Sequence, residues 1–184
     1  MHLFFKQCIG FLTCGFVVSF VHAGQLGAKL NLQIELESSC QINNQPVSNG
    51  TNGVSLGQFD FGQTTASFNH VIETSLTNGA TSGLTIQCLS NSPLKITFGA
   101  GQYDSKVPST FQANYFRALS NGTDYLAYNI VYGSARQVLR PNQVITLSNS
   151  GQSQTLDLKA QAVNNGQSVS VGHYTDTIPI TIEF

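Results

Sequence analysis

Side chains able to do chemistry are sparse in this sequence. Of its four histidines, His2 and His22 fall within the first 23 residues, which leaves His70 and His173. His70 opens an alternating run, HVIETSL, and His173 follows a glycine. Both read as surface or edge residues before they read as a general base. Glu35 and Glu37 sit two apart on an alternating stretch, so they share one wet face and do not flank a glycosidic bond. Metal-site patterns such as H-E-x-x-H and C-x-x-C are absent, and no ligand partner lies near Cys40 or Cys88 in sequence. Tyr115, Phe116, Tyr125, Tyr128 and Tyr132 could line a sugar site, but tyrosine at strand spacing more often packs in a core with its hydroxyl at the rim. Asn49-Gly-Thr51 and Asn121-Gly-Thr123 coincide with turn signals, and the turn is their first role. The expectation is a protein that is not an enzyme, with no cofactor and no metal.

The elements that carry these residues begin with a leader. Residues 8–21, CIGFLTCGFVVSFV, are apolar apart from small and hydroxyl residues, and Val21-His22-Ala23 places small or apolar groups before a cut. Residues 1–23 are expected to be a signal peptide cleaved between Ala23 and Gly24. Cys8 and Cys14 leave with it. An exported chain keeping Cys40 and Cys88 most simply forms one disulfide. Beyond the leader there are seven Lys/Arg and nine Asp/Glu, a net charge near −2, which gives no reason to expect a nucleic-acid partner. Only 9% of the chain is charged, so amides and hydroxyls must supply the wet surface.

The apolar period is two almost everywhere. Leu84, Ile86 and Cys88 form one stripe, and Leu94, Ile96 and Phe98 another. Leu126, Tyr128, Ile130 and Tyr132 form a third, and Leu156, Leu158, Ala160 and Ala162 a fourth. Val54, Leu56, Phe59 and Phe61 suggest a strand broken near Gly57. Asn-Gly and Ser-Gly pairs separate the runs. The pattern predicts eight or nine short strands, no long helix, and a long loop over 103–120 with room for a helical turn. The fold class is all-β: a β-sandwich with Greek-key or immunoglobulin-like connections, with a closed barrel as the alternative.

Both ends of the exported chain are striped. In KLNLQIELE (29–37), Leu30, Leu32, Ile34 and Leu36 alternate with polar residues. In TIPITIEF (177–184), Ile178, Ile180, Ile182 and Phe184 share one face, and Pro179 lacks a backbone donor, so an edge or bulge is expected beside it. By pattern alone the first stripe pairs within its own domain.

The ending G-x-Y-x-D-T followed by alternating apolar residues and a terminal aromatic resembles the closing strand of chaperone–usher pilins. The cysteine soon after the leader, LGQFDFG at 56–62, SGLTIQC at 82–88 and AYNIVY at 127–132 resemble the spore coat U domain family, which includes the archaic, Csu-like pilins. The resemblance runs over nearly the whole exported chain. It implies an immunoglobulin-like sandwich lacking its seventh strand (38–184), preceded by an N-terminal donor strand (24–37). Leu26, Ala28, Leu30, Leu32, Ile34 and Leu36 would then enter the groove of another subunit. Ile178, Ile180, Ile182 and Phe184 would line the receiving groove, which a periplasmic chaperone fills first. Assembly at an outer-membrane usher, secretion through the periplasm and a place in a cell-surface pilus for adhesion and biofilm formation are further implications. The competing reading is a self-complete secreted coat or carbohydrate-binding module with 29–37 folded into its own sheet.

Overall fold

A computed structural model describes residues 26–35, 39–79, 81–89 and 92–184. The chain divides into two units that meet between Glu35 and Leu36. In the first, residues 26–35 form no strand and all are exposed. A striped segment has no ladder without a partner, because strand geometry leaves its N–H and C=O groups unpaired. The expected leader, with its cut between Ala23 and Gly24, lies outside the described residues.

In the second unit the described residues are all-β, apart from one 3-10 turn at Asp104–Lys106. A four-stranded antiparallel sheet runs β12 (Gln154–Leu156), β6 (Leu84–Leu89), β1 (Ser39–Ile42), β2 (Gln45–Ser48). A second sheet runs β10 (Gln137–Leu139), β9 (Tyr125–Tyr132), β13 (Leu158–Val163), β3 (Val71–Ser75), with β8 (Arg117–Ser120) also on β9. A third runs β11 (Gln143–Leu147), β7 (Leu94–Phe98), β14 (Ile180–Glu183). A two-residue pair, β4 (Thr77–Asn78) and β5 (Thr81–Ser82), completes the set.

The stripes fold as strands because each has an apolar face to bury. Leu84, Ile86, Leu94, Ile96, Phe98, Ile130, Leu156 and Leu158 are almost wholly inaccessible and share one core. The stripe from Leu156 to Ala162 is not one strand, however. It breaks at Asp157, so Leu156 pairs in the first sheet while β13 pairs in the second. Strand β9 is buried on both faces. Tyr128 and Ile130 enter the main core, and Ala127 packs with Ala118 and Val107 under Tyr103, Phe111 and Tyr115 of the long 103–116 loop. Cys40 and Cys88 face each other across the β1–β6 ladder and form a disulfide with a Cα–Cα distance of 4.1 Å.

One expected strand does not form. Residues 54–61 contribute a single isolated bridge, Gln58 to Thr77. Gly57 is the reason. It takes φ +123°, and a Cβ there would lie 2.4 Å from the Thr77 carbonyl oxygen, so the backbone turns in against β4 and cannot extend. Leu56, Phe59 and Phe61 still pack against the core.

Candidate strand-binding cleft

The last strand is a sheet edge. β14 pairs antiparallel with β7, matching Ile180 to Phe98 and Ile182 to Ile96, and no described strand lies on its other side. The register says which groups that edge presents. The Gly99 N–H donates to the Pro179 carbonyl at 2.8 Å, so Pro179 and Gly99 are a hydrogen-bonded pair. Antiparallel pairs alternate, so Thr181 and Glu183 also turn their main-chain groups toward β7. The N–H and C=O groups of Ile180 and Ile182 therefore point outward along the open edge.

Pro179 does make a gap in the ladder, but on the inner side, toward β7. Its missing N–H would have met the Gly99 carbonyl. Arg117 Nη1 donates there instead, at 2.9 Å, from a side chain with no exposed surface. Gly99 is required for the approach, because a Cβ would sit 2.8 Å from Pro179 Cγ. The same corner is tied down by Asp176, which accepts from the Tyr128 hydroxyl at 2.6 Å and from the Gln102 N–H at 2.8 Å. Burial, and then this bond to a carboxylate, push the Tyr128 hydroxyl far above its usual pKa. Asp104 lies 3.6 Å from Arg117 Nη1 and accepts from the Gly101 N–H, yet burial still raises its carboxyl above the ordinary value. The D of the G-x-Y-x-D-T ending thus anchors the approach to the edge strand.

Side chains of the same strand line a cleft of about 180 Å³. Ile180, Ile182 and Phe184 form one wall, and Ile42 and Val47 of the β1–β2 hairpin another. Val54 and Leu56 also line it, together with the polar stretch Ser48–Gly53. Among the described strands, β2 is itself the edge of its sheet. The cleft therefore opens beside two sheet edges, with apolar side chains of both among its lining. Ile180, Ile182 and Phe184 are half-buried there. Ile178, also expected on this face, packs against the same core but is not part of the cleft lining.

The residues expected to supply a strand are bare. Leu26, Leu30, Leu32 and Ile34 keep 92%, 83%, 83% and 81% of their surface, and Ala28 is exposed; Leu36 lies outside the described residues. His70 packs edge-on to Phe68 and His173 is exposed. No cluster of three or more metal-ligating side chains occurs among the described residues. Contrary to the expectation that no nucleophile elbow of the form G-x-S-x-G occurs, Gly53-Val54-Ser55-Leu56-Gly57 matches it. Such an elbow needs a strand before it and a helix after it, and this segment has neither.

Sequence reading missed the second wall. Its signal was present: Ile42 and Gln45 flank Asn43-Asn44, both at positive φ, which is a two-residue hairpin turn that asparagine tolerates. Asn43 then holds the wall in place, accepting from the Thr85 N–H and donating to the Leu56 carbonyl.

A family model described as Spore Coat Protein U domain matches residues 27–181. Among solved structures, one match is the CsuC–CsuE chaperone–tip adhesion subunit pre-assembly complex from archaic chaperone-usher Csu pili of Acinetobacter baumannii. The two chains are 19% identical, with a TM-score of 0.42, over 80% of this chain and 40% of that one. No curated protein matches the chain.

Proposed function

The chain belongs to the Spore Coat Protein U domain family, and from that premise we propose that it is a structural subunit of an archaic chaperone–usher pilus. Its body is an immunoglobulin-like sandwich that lacks a seventh strand, and subunits join by donor-strand exchange. Residues 24–37 of one subunit, through Leu26, Ala28, Leu30, Leu32, Ile34 and Leu36, complete the sheet edge of the next along Ile178, Ile180, Ile182 and Phe184. A periplasmic chaperone covers that edge before an outer-membrane usher exchanges it for a neighbour's strand. The fibre serves adhesion and biofilm formation at the cell surface.

The observation that carries this reading is the β14 edge, with outward main-chain groups at Ile180 and Ile182 beside a cleft that Ile42, Val47, Ile180, Ile182 and Phe184 help to line. An added strand gains ladder hydrogen bonds there, and its alternate side chains fill the cleft. Leu26, Leu30, Leu32 and Ile34 have most of their surface left to bury. At about 1.5–3 kcal/mol each they offer roughly 6–12 kcal/mol before ordering costs. Donor and acceptor are different surfaces of one chain, so the contact is heterologous and propagates as an open filament. Left bare, both are aggregation-prone, which is the physical need for a chaperone.

The test is a non-boiled SDS gel of material sheared from the cell surface, blotted for this chain. A ladder in single-subunit steps that collapses to one band on boiling is expected. A lone monomer band in both lanes points to the self-complete module.

A further inference from the structure

We infer that residues 52–57 are a displaceable strap that occupies part of the cleft until a pairing strand takes it; this rests on reading the cleft as a strand acceptor. The strap hangs between two anchors. At one end Thr51 closes a turn on Ser48, through its N–H at 3.1 Å and its hydroxyl at 2.8 Å to the Ser48 carbonyl. At the other, Gln58 and Thr77 exchange backbone hydrogen bonds at 2.8 and 2.9 Å. Between the anchors, no main-chain N–H of 52–57 has a hydrogen-bond partner among the described residues. The polar ties are Asn52 Nδ2 to the Gly50 carbonyl and Asn43 Nδ2 to the Leu56 carbonyl. Gly53 and Gly57, both at positive φ, bracket the two apolar residues.

Val54 and Leu56 line the same cleft as Ile180, Ile182 and Phe184. Val54 is 37% exposed and Leu56 half-buried. The strap therefore offers the cleft two side chains and no ladder to β14. A donor strand offers four or more side chains at alternate positions together with main-chain bonds to Ile180 and Ile182. The strap keeps two apolar side chains against the cleft and yields to any segment that can pair. It carries no charged side chain, so no ion pair holds it.

A fluorescein-labelled peptide of residues 25–37 is mixed with the monomeric full chain, and association and dissociation rates are read by stopped-flow anisotropy. Val54→Ala and Leu56→Ala are compared with wild type; Val54 is exposed enough that its truncation leaves the fold intact. A peptide with serine at positions 30, 32 and 34 is the control. Emptying the strap is expected to raise the association rate about 5-fold or more by enlarging the cleft-open fraction, with dissociation unchanged. Faster dissociation at an unchanged association rate would make Val54 and Leu56 fixed walls and overturn the strap. Failure of the 25–37 peptide to bind any chain would remove the donor-strand reading, and the strap with it.

Discussion

Replacing Arg117 by methionine tests how the edge strand is held. The guanidinium has no exposed surface, lies 3.6 Å from Asp104 and supplies the hydrogen bond that Pro179 cannot give to the Gly99 carbonyl. Breaking a buried pair from one side costs about 3–5 kcal/mol. Asp104 keeps the Gly101 N–H as a partner, so the lower end, about 3 kcal/mol, is expected. Pro179→Ala restores an N–H aimed at the Gly99 carbonyl. In the wild-type background that acceptor is already served, and Pro179→Ala should cost about 0.5–1 kcal/mol through the unfolded chain. In the Arg117→Met background the restored hydrogen bond, about 1 kcal/mol, offsets most or all of that cost. Urea unfolding of the four chains with the disulfide intact gives the cycle, and a favourable coupling of about 1 kcal/mol is expected. Additivity within about 0.3 kcal/mol would refute the claim that Arg117 substitutes for the proline's missing donor.

Leu32 has 83% of its surface exposed, so Leu32→Ser in the 25–37 peptide should forfeit about 1.2–2.4 kcal/mol on capture, or roughly 10- to 60-fold in Kd. Gln33→Ser, at the opposite parity, should change Kd less than about 2-fold, and equal losses at both positions would rule out strand addition. Glu73 is held at a pKa of about 2 by hydrogen bonds from Arg136 and Gln161 and by the charges of Arg136 and Lys159. Its carboxylate is stabilising when ionised, so wild type should exceed Glu73→Gln at pH 7. Nearly a third of this side chain is exposed, so the difference should stay within about 1 kcal/mol, shrink below pH 4.5 and vanish near pH 2 in thermal melts. Converting both Cys40 and Cys88 to alanine opens a link across a sequence separation of 48 and should cost about 4 kcal/mol by urea titration.

What the sequence made legible was whatever depends on period two. β6, β7, β9 and β14 fall on their stripes, and Cys88 faces the core from a stripe position opposite Cys40. Ile180, Ile182 and Phe184 line the cleft because alternation alone places them on one face. The failures are long-range. Asp157 switches the chain between two sheets, which no local pattern encodes. The stripe at 54–61 has strand periodicity, but Gly57 must fit under the Thr77 carbonyl, a contact 20 residues away in sequence. Arg117 in YFRALS looks like a surface cation, and its burial makes sense only beside Gly99, Asp104 and Pro179. The outward direction of Ile180 and Ile182 needed one hydrogen bond, Gly99 to Pro179, to fix the phase of the ladder.

That phase makes the central claim measurable residue by residue. Amide hydrogen exchange of the full chain is followed by NMR with and without the 25–37 peptide. If β14 captures the peptide as a strand, the Ile180 and Ile182 amides should slow by about 100-fold or more, while Thr181 and Glu183, already bonded to β7, change little. Bound peptide with Ile180 and Ile182 still exchanging freely would contradict the claim.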